Sequence, residues 1–155
     1  METTRHFTAT TYVVNDGATL LHDHKRQDLW LPPGGHIDRD ELPHEAALRE
    51  VAEETGLDVT LVTDTEDIES ETTRSSPQPQ HVRLADINYH DGEVGHQHID
   101  LTFYAESNNR TITPGPDEVP PEDWQWLSAT DLLDSDKLAP DVIEIGRRAI
   151  TAVGN

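Results

Sequence analysis

An α/β fold, with a mixed sheet held between helical layers, is predicted by three features of this 155-residue chain. Short alternating runs rich in β-branched residues stand before and after one central amphipathic segment, and further amphipathic segments close the sequence. The length suits one domain over residues 1–155, and no internal repeat or composition shift marks a second. Hydrophobic residues make up only 34% and mean hydropathy is −0.68, so the core should be compact under a heavily charged surface.

Phe7 to Val14 alternates as a strand, Asn15-Asp16-Gly17 marks a turn, and Ala18 to His22 resumes, a hairpin signal. His24 to Asp28 reads as a polar loop. Leu29-Trp30-Leu31 reads as a short buried strand with Trp30 in the core, ended by Pro32-Pro33-Gly34-Gly35. Glycines there let the backbone approach a ligand closely, and the Gly34 carbonyl is a candidate metal ligand.

A helix follows. Pro43 suits its first turn, where a missing N–H costs nothing, and Gly56 suits the left-handed residue that closes it. At roughly 100° per residue, Leu48, Val51, Ala52 and Thr55 fall on one arc and Glu50, Glu53 and Glu54 on the opposite one. Leu57 to Val62 alternates as a strand. Asp64 to Gln80 reads as a continuation of that strand and then an exposed loop around Ser75 to Pro79. His81 to Tyr89 and His98 to Ala105 are strands about the turn Asp91-Gly92, and alternation puts His98 and Asp100 on one face. Ser107 to Glu122 is a proline-rich loop of the kind that carries function. Trp124 to Leu127 is a last short strand, Ser128 caps a helix through Leu133, and Asp141 to Ala152 forms another on Val142, Ile145, Ala149 and Ile150.

Acidic residues number 31 against 11 basic ones, a formal charge of −20. Such a chain repels itself in dilute buffer and is screened at molar salt, where the Debye length is about 3 Å. A salt-accumulating cytoplasm, as in a halophilic archaeon, is the environment expected. No basic stripe is available to release counterions from a nucleic-acid duplex. The absence of cysteine excludes disulfides and thiolate chemistry, and no apolar run of membrane length or leader is expected, so the reading is soluble and cytoplasmic.

Three carboxylates at i, i+3 and i+4 weaken an isolated helix by a few tenths of a kcal/mol per pair. A hard divalent cation reverses that cost, because Mg2+ or Mn2+ prefers carboxylate oxygens and keeps waters that a phosphate can replace. Arg49, four residues before Glu53, can reach and orient that carboxylate.

Gly35, five residues, Glu41, seven residues, then Arg49-Glu50-Val51-Ala52-Glu53-Glu54-Thr55-Gly56-Leu57 resembles the Nudix box, G-x5-E-x7-R-E-U-x-E-E-x-G-U with U aliphatic, at every position. The resemblance implies an α/β/α sandwich with a mixed β-sheet. It also implies a hydrolase that uses Mg2+ or Mn2+ to cleave a nucleoside diphosphate linked to another moiety X. Carried over by position, Gly34, Glu50, Glu53 and Glu54 become metal ligands and Arg49 orients Glu53. Glu41 becomes a structural residue favouring the positive helix start. The general base in the family is Glu50 or Glu53, or a carboxylate from a distant loop; Glu53 is the first choice here. A further ligand before the last strand would be Glu118. Trp124 or Trp126 is read first as core and second as a platform for a base. No later signature selects a substrate, which leaves a nucleoside triphosphate or a small nucleotide derivative, with a homodimer as an admissible assembly. The competing reading, a catalytically weak nucleotide-sensing module, is disfavoured because every acid of the box is present.

If salt screening makes this charge tolerable, the melting temperature rises between about 0.1 and 2 M KCl. A flat or falling response argues against salt adaptation.

Overall fold

A computed structural model describes residues 2–25 and 29–154. Its elements are β1 (Thr4–Asn15), β2 (Ala18–His24), β3 (Leu29–Leu31), β4 (Gly34–His36), α1 (Pro43–Thr55), β5 (Val59–Leu61), β6 (His81–His90), β7 (Glu93–Ser107), β8 (Trp124–Ser128), α2 (Ala129–Asp134) and α3 (Pro140–Val153). Among the described residues no helix is long and apolar enough to cross a membrane.

The strands form one mixed sheet, β3-β2-β1-β7-β5, with β8 on β2, β4 on β1 and β6 on β7. Its spine is the parallel pairing of β1 with β7, from Thr4 opposite His96 to Val14 opposite Glu106. The first hairpin closes through Asp16 and Gly17, both at positive φ (47° and 75°), the twist that a two-residue turn needs. Side chains alternate across this spine and build two cores. Tyr12, Val14 and Tyr104 meet Leu132 of α2 and Val142, Ile145 and Ala149 of α3. On the opposite face Val13 and Ala105 meet Val51 of α1, while Ala9 and Phe103 meet Ala46 and Ala47. The result is the α/β/α sandwich expected.

Several boundaries differ from the sequence reading. β1 and β7 run longer than expected because their ends pair with each other beyond the buried segment. β4 was not foreseen; Gly34 and Gly35 pair with Thr10 and Ala9 rather than simply stopping a strand. No strand continues through Asp64 to Gln80, where only an isolated bridge joins Glu69 and Arg74. Leu29 is exposed, so β3 is not fully buried. The loop expected over His24 to Asp28 falls partly on 26–28, outside the described residues, and His24 itself belongs to β2. Within α1, Ala52 is exposed and Ala46 and Ala47 are buried in its place, because the helix approaches the sheet over small residues.

His22 is 4% exposed and packs on Trp124, its register partner, with ring centroids 4.6 Å apart. Burial, helped by the charge of His24, pushes its pKa down from 6.5 to about 4. The unfolded chain therefore binds a proton across that window while the folded chain does not. Stability is whole above pH 6.5 and falls as pH drops toward 4, by on the order of 2–3 kcal/mol from this group. Urea unfolding of wild type and His22→Gln at neutral and mildly acidic pH checks this; the variant should show the smaller acid-induced loss, and an identical slope removes His22 as its source.

Candidate active site

The acids of α1 reach their places through the two glycines of β4. A Cβ built on Gly34 would lie 2.7 Å from the Ala9 carbonyl oxygen, and one on Gly35 would lie 2.6 Å from Cδ of Glu50. Only residues without side chains let β4 pass between β1 and α1. The Gly34 N–H then donates to Glu54 Oε2 at 2.9 Å. Glu50 and Glu54, one turn apart, thus face the backbone of β4, whereas the Glu53 side chain stays 52% exposed.

Arg49 ties the acids together. Its Nε and Nη2 donate to the two Glu41 oxygens at 2.6 and 2.9 Å, its Nη1 to Glu50 Oε1 at 3.0 Å and Glu53 Oε2 at 3.2 Å, and its Nη2 to the His36 carbonyl at 3.1 Å. Hydrogen bonding to Glu41, then to Glu50, raises the guanidinium pKa further, and the same bond with Arg49 holds Glu41 below the usual carboxylate range. Glu41 precedes the helix rather than opening it, and its fork-to-fork grip on Arg49 replaces the helix-start role expected from sequence. Arg49 in turn touches Glu50 as well as Glu53.

Burial pushes Glu54 up to about 9, with the charges of Glu50 and Glu118 adding to the shift and the Gly34 N–H opposing it. Burial and the neighbouring Glu50 thus favour the protonated form of the Glu54 carboxyl. Glu118 comes from the loop between β7 and β8, which lies along the end of α1. There Thr113 N–H donates to Thr55 O at 2.8 Å and Gly115 N–H to Glu53 O at 3.0 Å, satisfying carbonyls that a helix end leaves open. The Glu118 carboxyl is also raised, first by burial and then by Glu50 and Glu53. The structure therefore brings Gly34, Arg49, Glu50, Glu53, Glu54 and Glu118 into one locality.

A divalent metal ion is what the box resemblance implies, and the residues here fit one. Every donor is a hard oxygen, as Mg2+ and Mn2+ require, and a cation would relieve the crowding of the buried Glu54 carboxyl against Glu50. Among the described residues no three acid or histidine side chains already stand as a ligand set; Arg49 supplies the positive charge to Glu50 and Glu53.

A cavity of about 520 Å³ opens beside this cluster on the α3 face of the sheet, and Gly34 and Glu54 form part of its wall. On its floor Asp100 accepts hydroxyl hydrogen bonds from Thr8 (2.8 Å), Thr10 (2.6 Å) and Thr102 (2.7 Å). Arg83 of β6 and Asp141 of α3 pair across its wall at 3.2 Å. His98 and Asp100 share this wall, as alternation suggested. Trp30 is half-buried: it packs against the core under α3, as expected, and also lines the cavity. Trp124 is buried and donates to Val119 O, while Trp126 donates to Arg110 O with the Arg110 guanidinium over its ring; neither lines the cavity. The hydroxyl set on Asp100 was missed. Alternating threonines in β1 and β7 were a visible signal, but their meeting required the parallel register.

The fold is thus an α/β/α sandwich in which a helix-borne acid cluster lies against a glycine-bearing strand beside a cavity. The NUDIX domain profile matches residues 4–149, and the chain belongs to the Nudix family as a Nudix hydrolase. A Nudix-family hydrolase from Clostridium perfringens superposes with a TM-score of 0.81 at 30% identity, covering 96% of this chain and 98% of that one. The MutT protein of Bacillus halodurans gives 0.65 at 20% identity over 94% and 82%, and an ADP-ribose pyrophosphatase from Streptococcus suis gives 0.58 at 19% over 97% and 92%; these two speak for the fold alone. A curated relative, the m7GpppN-mRNA hydrolase NUDT17 of Danio rerio, is 53% identical over 32 residues, which span 21% of this chain and only 11% of that protein.

Gly35→Ala pushes the Glu50 carboxyl from its place. Divalent-metal affinity, read by calorimetry with Mn2+, should fall by about 10- to 100-fold while the circular dichroism spectrum is kept. Unaltered affinity would show that the contact between Gly35 and Glu50 is dispensable.

Proposed function

We propose that this chain is a single-domain pyrophosphohydrolase dependent on Mg2+ or Mn2+, cleaving a nucleoside diphosphate linked to another moiety, with a nucleoside triphosphate or small nucleotide derivative as substrate. The observation that carries the reading is continuity: Glu54 and Gly34 belong both to the acid cluster and to the wall of the cavity. A nucleoside in the cavity would direct its phosphates at the carboxylates.

In this reading the Gly34 carbonyl with Glu50, Glu53, Glu54 and Glu118 holds the metal. Bound there, the ion would neutralise phosphate oxygens and lower the pKa of the attacking water. Water adds to one phosphorus, the bridging P–O bond breaks, and the water proton passes to a Glu53 carboxylate oxygen. Glu53 is the base favoured because its side chain is the half-exposed one of the three, able to meet solvent. Arg49 positions Glu53 and Glu50 through Nη1. Products from a nucleoside triphosphate are the monophosphate and pyrophosphate.

The working environment is the cytoplasm of a salt-accumulating archaeon, on the strength of the −20 charge. That charge also speaks against nucleic-acid duplexes and anionic membranes as partners. A second copy of the chain is a partner in this reading, supported by the exposed apolar side chains of Phe7, Val82 and Leu84.

The test is a nucleotide panel in high-KCl buffer with Mg2+ or Mn2+, following phosphate and pyrophosphate. Turnover requires the metal and stops with chelator, and Glu53→Gln lowers kcat by about 100-fold or more with its melting curve retained. Near-normal turnover in Glu53→Gln would remove it as the base; tight nucleotide binding with no turnover by wild type would favour a sensor.

A further inference from the structure

Four of the nine histidines meet in one place outside the acid cluster. His6 of β1 and His98 of β7 are register partners, His96 lies two residues before His98 on the same face, and His36 of β4 pairs opposite Thr8. The ring centroids form a closed circuit: His6 to His36 is 5.3 Å, His36 to His98 is 5.1 Å, His98 to His96 is 5.2 Å and His96 to His6 is 4.7 Å. Nitrogen-to-metal bonds of about 2.0–2.1 Å in tetrahedral array place imidazole centroids about 5 Å apart. Four of the six ring pairs therefore already stand at the spacing that one shared ion would set. The rings stand nearly edge to face, at 70–88°, and no three already stand as a ligand set, so side-chain rotation separates this arrangement from coordination.

One ring is already oriented. Thr4 Oγ1 lies 2.8 Å from Nδ1 of His96 and 3.3 Å from the Gly95 carbonyl, so the ring is held at its Nδ1 edge and its Nε2 edge is the one left for a ligand. Imidazole donors suit zinc, nickel, copper and cobalt better than magnesium, and the negative field of the chain concentrates dications.

We propose that His6, His36, His96 and His98 form a second metal site, for a transition-metal dication of the zinc type, separate from the carboxylates of α1. The ion would fasten β1, β4 and β7 together. Because the His36 carbonyl accepts from Arg49, the same ion would steady the strand that carries Gly34 and Gly35. The inference does not rest on the hydrolase mechanism above.

Protein saturated with excess Mg2+ is titrated with Zn2+ by calorimetry. One equivalent should bind; His6→Gln and His98→Gln should each weaken it by at least about tenfold, while Glu50→Gln and Glu53→Gln leave it unchanged. As a readout independent of any variant's folding, Co2+ added to wild type should broaden the imidazole NMR signals of these four histidines before the others. Zn2+ bound no more tightly than Mg2+, Zn2+ binding lost in the glutamate but not the histidine variants, or broadening centred on other histidines would each overturn the site.

Discussion

The approach of β4 to β1 and α1 is the constraint on which the rest of the site depends. A sheet strand lying under a helix ordinarily presents side chains to it. Here Gly34 and Gly35 present none, so the Glu50 carboxyl rests against one glycine and Glu54 takes the N–H of the other. The edge of β1 changes partner at the same place. Its end near Val14 and Asn15 pairs with β2, while Thr8 to Thr10 pair with β4. Through that division, acids rooted on the α1 face reach a cavity on the α3 face.

Electrostatics follows from this packing. Four carboxyl groups, Glu50, Glu53, Glu54 and Glu118, gather beside one guanidinium, and Glu41 occupies two arms of that guanidinium. Burial and the neighbouring charges raise the Glu54 carboxyl, the most buried of them, toward keeping its proton. The same crowding that is costly for the helix alone makes the cluster receptive to a hard cation, and cation binding would displace that proton.

Much of α1 is legible in the sequence because its signals are local: proline at the first turn, glycine past the last, and acids spaced so that they must share one side. Its buried arc is less so, since Ala46, Ala47 and Ala52 look alike until the sheet decides which alanines it meets. β4 is hidden for a different reason, because glycine and histidine carry no strand preference and pair only since β1 offers an edge. Glu41 is misread because its partner lies eight residues on, joined by side-chain reach and not by helix position. The cavity floor is the least legible part. Thr8 and Thr10 stand about ninety positions from Asp100, and nothing short of the β1 to β7 register brings them together.

The division of labour between the two faces separates reaction from recognition. The acids on α1 and the glycines of β4 are fixed by one short continuous stretch, whose spacing cannot change without moving a carboxylate. The cavity draws on β1, β2, β6, β7, α3 and the residues around Trp30, and it shares Gly34, Gly35, His36 and Glu54 with the acid cluster. Substitutions at Arg83, Asp141 or Trp30 can therefore alter what the cavity holds while leaving the helix that handles phosphate intact. Asp100 is the exception among cavity residues. Its three threonine donors come from both central strands, so it cannot be exchanged alone without leaving buried hydroxyls unmatched. Asp100 is thus the point at which the cavity is bound to the sheet, and the freedom to vary recognition begins only outside it.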